Sequence, residues 1–132
     1  MENINKQERR DDRILIMEKL FTYDMMNDYV FLTKADYYSD FVVETVNYIC
    51  SNLEGVDEVI KNSLVKYTIS RLSFVDRAII RMATAEMMMG TAKAVVINEA
   101  LEIVKVYSDQ GDGSSVRFVN KVLDNISKNI ER

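Results

Sequence analysis

Apolar residues recur at helical spacing along most of the chain. The clearest stripe runs from Tyr38 to Leu53, where apolar side chains repeat at i, i+3, i+4 and i+7. The same period places Ile14, Met17 and Phe21 on one face of an earlier segment. Further stripes with this period lie in segments 59–67, 79–87, 96–107 and 116–126. The pattern predicts an all-α protein with six to seven amphipathic helices packed as a bundle.

Polar residues and glycines mark the ends of these predicted helices. Ser73 and Asp76 have the three-residue spacing of a capping box, which predicts a helix start. Gly55 and Gly90 each follow an apolar stripe and are predicted to end a helix. The chain has no proline and four glycines, and no linker divides it. Residues 1–132 are therefore predicted to form a single helical domain.

The composition removes several kinds of active site. The 132-residue chain contains no His, the commonest metal ligand and general base in proteins. Cys50 is the single cysteine, so no internal disulfide can form, and its place in an apolar stripe predicts a core thiol. A zinc site would have to combine one thiolate with carboxylates, which is an unusual ligand set. We therefore expect no metal and no cofactor.

Charge and hydropathy limit what the protein can bind and where it works. The formal net charge is −4, so any nucleic-acid site must be a local basic patch. No apolar run approaches the ~20 residues that span a bilayer. The charged stretch at 1–12 is not followed by the apolar region of a signal peptide. A cytoplasmic location is expected.

The stretch GDGSSVRFVNKVL at 111–123 contains two glycines before a helical pattern. It lacks the Lys-Ser/Thr ending of a phosphate-binding loop, and no strand precedes it, so we interpret it as a corner between two helices. Ser114 or Ser115 is predicted to cap the second helix. Asn120 lies within an apolar run, and we predict a buried amide that ties the corner down.

Arg117 and Phe118 follow the two serines of this stretch. An arginine in the first turn of a helix can help hold an anion. The phenylalanine has two interpretations, since it can belong to the core or can stack on an unpaired base.

Two carboxylates lie within apolar surroundings further along the chain. Glu86 and Glu99 could form an acid–base pair, and an enzyme of this kind would need them to share an open cleft, alone or with Asp76. Such residues more often pair with a cation, and Arg77 and Arg81 lie on the same predicted helix as Glu86. No nucleophile or metal site is visible, so we expect a protein that is not an enzyme.

Arginines cluster at the start of the first predicted helix. Arg9, Arg10 and Arg13 cover about one side of that helix, but Asp11 and Asp12 are interleaved with them. Residues 1 to 13 contain four basic and four acidic side chains, so the segment is neutral in sum. Charge alone is compatible with an RNA-binding patch or with a solvated helix face stabilised by i,i+4 pairs.

Three motifs resemble those of the NusB family of bacterial transcription antitermination factors. They are RRDDRILIMEKLF, FVDRAIIRMATAEM and AVVINEALEIVKVYSDQGDGSSVRFVNKVLDNI, and together they span nearly the whole chain. The resemblance implies an all-α fold of two small packed helical bundles and a protein without catalytic activity. It also implies pairing with the small-subunit ribosomal protein NusE and binding of the boxA element of nascent ribosomal RNA transcripts. The resemblance further implies that this pair helps RNA polymerase to pass terminators.

The resemblance also assigns residues, position by position, to an RNA-binding face. Phe21 stands where the family usually has Tyr, and Phe118 matches a base-contacting Phe. Asp76 matches an acidic position near the RNA and partner surface, whereas Asn98, Glu99 and Asn120 match the signature as structural residues. The residues carried over to the RNA-binding face are Arg9, Arg10, Arg13, Phe21, Asp76, Arg117 and Phe118.

The chain departs from the family pattern at its start. Asp11 and Asp12 stand where many members have basic or small residues, and a neutral patch predicts weak intrinsic affinity for RNA. Phe21 lacks the hydroxyl of the usual Tyr. RNA binding that depends on the partner protein fits both departures. The alternative is a NusB-like protein-interaction module, which could be homodimeric and has lost autonomous RNA binding.

Overall fold

The computed structural model describes residues 5–33 and 37–130, and this part of the chain is helical without strands. The predicted all-α class is therefore confirmed. No helix in the described part is long and apolar enough to cross a membrane. The elements are α1 (Lys6–Met26), α2 (Asp40–Ser63), a short 3₁₀ turn (Ile69–Arg71), α3 (Phe74–Met88), α4 (Lys93–Tyr107) and α5 (Ser114–Asn129).

The described residues form five α-helices, so the prediction of six to seven was wrong. A single helix, α2, covers the two segments predicted as the second and third helices. Gly55 continues that helix instead of ending it. The interruption is a kink at Asn52, whose φ is −129° and ψ is 26°. The Asn52 side-chain amide donates to the Tyr48 carbonyl at 2.8 Å, and such local bonds compete with the backbone ladder.

Helix ends follow local capping chemistry. The Ser73 hydroxyl accepts from the Asp76 amide at 3.1 Å, which confirms the predicted start of α3. Asn5 caps α1 in the same way by accepting from the Glu8 amide at 2.8 Å. Gly90 follows α3 with a φ of +102°, a left-handed conformation that glycine adopts without strain. The predicted end of this helix is thus also confirmed.

Helix α3 is the central element of the fold and packs against the other four helices. Every residue from Arg77 to Met87 is buried, so α3 is enclosed on all sides. Helix α5 closes the core by packing on α2, α3 and α4. The largest fully buried side chains are Ile16, Leu20, Val42, Ile49, Ile60, Ile79, Ile80, Met82, Glu86, Ile103, Leu123 and Ile126. An enclosed helix that carries charged residues must supply each of them with a partner.

Ion pairs from α1 and α2 satisfy the buried charges of α3. The Arg77 Nε lies 2.6 Å from Asp24 Oδ2, and the Arg81 Nη2 lies 2.8 Å from Asp57 Oδ2. Glu86 pairs with an arginine of α1 and with neither Arg77 nor Arg81, so the expected pairing within α3 was wrong. Residues five apart on a helix point about 140° apart, which separates Arg81 from Glu86.

Candidate nucleic-acid interface

The carboxylate of Asp109 holds the corner between α4 and α5. Its Oδ2 accepts from the amides of Gly111 at 3.0 Å and Gly113 at 3.1 Å. Its Oδ1 accepts from the amides of Ser115 at 3.1 Å and Val116 at 3.4 Å. Both glycines have positive φ, +97° and +79°, which lets four amides converge on one side chain. The corner predicted from the two glycines is confirmed.

The capping groups at this corner differ from those predicted. Gly113 is the N-cap residue of α5, and neither Ser114 nor Ser115 caps the helix with its hydroxyl. Asp109 supplies the side-chain acceptor instead. Partial burial acts to raise the pKa of Asp109, but the four amide donors together outweigh it and lower that pKa. A carboxylate that is stabilised in its charged form suits a helix N-terminus.

Asn120 does not tie the corner down, and that prediction was wrong. Its side chain is exposed on the outer face of α5, whereas its neighbours Val119 and Val122 are buried. Asn98 is likewise exposed on α4. Both asparagines therefore lie on the surface, where each offers an amide to solvent or to a partner.

Phe118 forms an aromatic ridge with Tyr67. Their ring centroids are 5.3 Å apart and their planes are tilted by 50°. Phe118 is half-buried and Tyr67 is 40% exposed, so part of the pair faces solvent. The Arg71 guanidinium lies over the Tyr67 ring, 4.9 Å from its centroid. The two interpretations of Phe118 thus meet, because one part of the ring packs on the core and another part stays accessible.

A groove on one side of this ridge contains Asp76. The Asp76 Oδ1 accepts from the Ser108 hydroxyl at 2.5 Å, which fastens the start of α3 to the end of α4. The groove is lined by Tyr67, Arg71, Leu72, Ser73, Asp76, Ser114, Ser115 and Phe118. The structure therefore brings Asp76 and Phe118, both assigned from the resemblance, to one surface.

The arginines of α1 are engaged to different degrees. Arg10 donates to both Glu99 oxygens, at 2.9 and 3.1 Å, with 31% of its side chain exposed. Arg13 is buried and donates to both Glu86 oxygens at 2.8 Å. Arg9 lies over the ring of Phe41, 4.0 Å from its centroid. In this conformation Arg9 and Arg10 reach the surface, whereas Arg13 faces the core.

Phe21 lies on the same face of α1 as Arg10. Eleven residues make about three helical turns, so the two positions are aligned and about 16 Å apart. The Phe21 ring meets Phe74 edge to face, with centroids 6.1 Å apart. It also lines a groove with Tyr107 at the end of α4. Tyr107 is followed by Ser108, whose hydroxyl donates to Asp76 in the groove beside the Phe118 ridge. The end of α4 therefore links the Phe21 face of α1 to that ridge.

The described cations fall into two groups. Salt bridges engage Arg10, Arg13, Arg77, Arg81, Lys105 and Lys128. Within residues 5–33 and 37–130, the cations outside these salt bridges are Lys6, Arg9, Lys19, Lys61, Lys66, Arg71, Lys93, Arg117 and Lys121. Three of these nine, Arg71, Arg117 and Lys121, line the grooves beside the Phe118 ridge.

Arg71, Lys121 and Tyr67 were missed by reasoning from the sequence. Lys121 follows Arg117 by four residues and hence lies on the same side of α5, a spacing that could have suggested it. Tyr67 and Arg71 lie in the segment between α2 and α3, where the spacing of residues in the sequence does not indicate which way a side chain points.

The carboxylates considered for acid–base chemistry have separate partners. Glu86 is paired with Arg13 and Glu99 with Arg10, and Asp76 accepts from Ser108. Hydrogen bonding by Arg10 lowers the pKa of Glu99 and so favours its ionised form. Burial raises the pKa of the Cys50 thiol and favours its unreactive form. No group of three metal-ligating side chains occurs in the part of the chain that the structure describes.

Comparison with known proteins supports the resemblance that the three sequence motifs indicated. The model of the NusB family matches residues 6–128. The chain belongs to the NusB family.

Individual NusB proteins resemble the chain over most of its length. Transcription antitermination protein NusB of Staphylococcus aureus (strain USA300 / TCH1516) is 34% identical over 130 residues, covering 91% of this chain and 98% of that protein. The protein of that name from Bacillus cereus (strain B4264) is 40% identical over 97 residues, or 72% of each chain.

Solved NusB structures share the fold. T. maritima NusB has a TM-score of 0.76 at 30% identity, covering 97% of this chain and 93% of that chain. A structure of antitermination factors NusB and NusE in complex with dsRNA has a TM-score of 0.73 at 21% identity, covering 95% and 99%.

Proposed function

We propose that this chain is a transcription antitermination factor that binds a boxA-like single-stranded RNA together with ribosomal protein NusE. It works as a binding platform without turnover, and it acts in the cytoplasm on the RNA polymerase elongation complex. Membership of the NusB family supports this role. The observation that carries it is the partly exposed Phe118 ridge, which lies beside Arg117 and Lys121, two cations that form no salt bridge within the described part of the chain.

The Phe118 ridge has the composition of a site for unpaired bases. A base can stack on an accessible aromatic ring, whereas nearby cations neutralise its phosphate. Arg117 is exposed one residue before Phe118, and its Nη1 makes a long contact of 3.4 Å with the Asp112 carbonyl. Arg117 forms no salt bridge with a described residue, so its guanidinium can bind a phosphate. Asp76, across the adjacent groove, can accept from the exocyclic amine of a base.

The arginines of α1 have distinct tasks in this proposal. Arg9 has no carboxylate partner among the described residues and contacts phosphate directly. Arg10 uses the exposed edge of a guanidinium that Glu99 holds in place. Arg13 is a positioning residue, because its guanidinium is buried against Glu86. Phe21 extends the RNA-binding face along α1.

NusE docks on exposed apolar residues in this proposal. Met25 and Met26 at the end of α1 are more than half exposed, and Tyr107 and Met89 are also accessible. Aromatic and methionine side chains are enriched in such interfaces. A basic surface on NusE would add phosphate contacts that the near-neutral start of α1 lacks. We also propose that residues 1–132 form one domain made of two small packed helical bundles, as the resemblance to the family implies.

A second candidate is a protein-interaction module that has lost autonomous RNA binding and that could form a homodimer. The observation that favours it is the pairing of Arg10 and Arg13 with glutamates, which neutralises half of the basic residues at the start of the chain. Asp11 is also exposed in the same turns. This module would bind NusE or itself and would leave RNA unbound.

A fluorescence titration separates the two candidates. Labelled boxA-like RNA is mixed with the protein, with and without NusE, and a scrambled RNA serves as the control. We expect tight binding of the boxA-like RNA when NusE is present, weakened by about 1–3 kcal/mol in Phe118→Ala. If the protein binds boxA-like RNA no better than scrambled RNA, both with and without NusE, the protein is an interaction module that does not bind RNA.

A further inference from the structure

A second groove lies on the other side of the Phe118 ridge, between the segment after α2 and the side of α5 that carries Phe118 and Lys121. Its volume is about 300 Å³, at the lower end of the range for small-molecule sites. A space of that size suits one nucleotide better than a longer stretch of RNA. The lining residues are Ser63, Leu64, Val65, Tyr67, Arg117, Phe118, Lys121, Val122 and Asn125.

The walls and rim of this groove differ in chemistry. Val65 and Val122 add aliphatic surface to that of the two rings, which is where a base would lie flat. Arg117 and Lys121 are exposed on consecutive turns of α5 and are both cationic. The lining contains no carboxylate, in contrast to the groove that contains Asp76. The second groove therefore favours an anionic ligand with a planar apolar part.

A polar group is also fixed in the groove. The Asn125 side-chain amide donates to the Ser63 carbonyl at 3.3 Å, which orients the amide while its Oδ1 remains able to accept. An acceptor in that position can bind an amino group on the edge of a base. An aromatic wall, two cations and an oriented amide together match the parts of a nucleotide.

We propose that this groove holds one further nucleotide of the bound RNA, next to the one that stacks on Phe118. Its base lies on the apolar wall beside Tyr67, and its phosphate lies between Arg117 and Lys121. Tyr67 and Phe118 line both grooves, so an RNA strand can pass from one groove to the other across the ridge. This inference rests on the proposed function and adds Tyr67, Lys121 and Asn125 to the residues that contact RNA.

Two variants and a set of RNA lengths test this inference. Tyr67→Leu keeps an apolar side chain but removes the ring, and Lys121→Ala removes one cation. Lys105→Ala is the matched control, because Lys105 is an exposed lysine of α4 paired with Glu102. Circular dichroism shows whether each variant is folded. Binding to boxA-like RNA is measured with NusE present at several salt concentrations.

The expected changes are specific to each variant. Tyr67→Leu weakens RNA binding about 5-fold or more, the lower end of the effect of losing one stacked base. Lys121→Ala lowers the slope of log affinity against log salt by about one. Shortening the RNA one nucleotide at a time from each end weakens wild-type binding at the step that empties the groove. In Tyr67→Leu the same step has a smaller effect.

Other results overturn the inference in distinguishable ways. If both variants bind RNA like wild type while Phe118→Ala is weakened, the groove is empty and the proposed function stands. If RNA binding is unchanged but Tyr67→Leu binds NusE less tightly, the groove belongs to the protein interface. If wild type binds no RNA with NusE present, the proposed function fails, and this inference fails with it.

Discussion

Arg13 and Glu86 form a bidentate ion pair that joins the first turns of α1 to the enclosed helix α3. Both nitrogen–oxygen distances are 2.8 Å, and 5% or less of either side chain is exposed. The two residues are 73 positions apart in the sequence. An arginine of the N-terminal motif therefore helps to hold the fold together, whereas its neighbours Arg9 and Arg10 present cations at the surface.

Removal of Arg13 should destabilise the protein more than removal of Arg9. Arg13→Ala leaves the Glu86 carboxylate buried without its cation, and breaking such a pair costs about 3–5 kcal/mol. Arg9→Ala removes a guanidinium that stacks on Phe41 near the surface, so we expect a loss below about 1 kcal/mol. Urea unfolding of both variants measures the difference. Equal midpoints would show that the buried pair contributes little to stability.

The pair between Arg10 and Glu99 predicts a specific dependence of stability on pH. The hydrogen bond from Arg10 lowers the pKa of Glu99 in the folded state. Its contribution to stability is therefore present above the unfolded value of about 4.3 and is lost as the pH falls through the folded value. Glu99→Gln should make the free energy of unfolding less dependent on pH below about 4.3. A slope in the variant as steep as in wild type contradicts this coupling.

Asp109 should control the order of the corner before α5. Asp109→Asn loses the charge and part of the accepting capacity that four amides share, so those amides should open more often. Hydrogen exchange measured residue by residue should become faster at Gly113 and Ser115. Asp124→Asn is the control, since Asp124 pairs on the surface with Lys128. Unchanged protection in Asp109→Asn would show that the backbone keeps the corner ordered without the charge of Asp109.

Arg117 should contribute one phosphate contact. Arg117→Ala is expected to weaken binding of boxA-like RNA and of scrambled RNA by a similar factor, because phosphate contacts do not read sequence. The slope of log affinity against log salt should fall by about one. Titrations of Arg117→Ala and Lys105→Ala at several salt concentrations measure both effects. A change in Lys105→Ala as large as in Arg117→Ala would mean that net charge alone is responsible.

Helical faces could be predicted from the sequence because their period is local. The stripes that contain Met17, Ile49 and Val119 all face the core, as their spacing indicates. The ends of helices were less predictable, because a glycine such as Gly55 can lie within a helix as well as at its end. A side-chain bond at Asn52 kinked the helix, and spacing does not reveal such a bond.

The candidate interface was only partly predictable, since its geometry depends on contacts between distant segments. The motif resemblance identified Asp76 and Phe118, and the fold brings them together across one groove. The partners of Arg10 and Arg13 lie on other helices, so local spacing suggested the wrong pairing for Glu86. Tyr67 joins Phe118 from an irregular segment, and it became visible only in three dimensions.

A titration at two salt concentrations tests the central claim most directly. Labelled boxA-like RNA is titrated with the protein, with and without NusE, at low and at near-physiological salt. Our account predicts weak, strongly salt-dependent binding by the protein alone. With NusE present, it predicts tight binding that is selective for boxA-like RNA over scrambled RNA. Absence of selective binding at either salt concentration, with NusE present, would contradict the proposal that this protein is an RNA-binding antitermination factor.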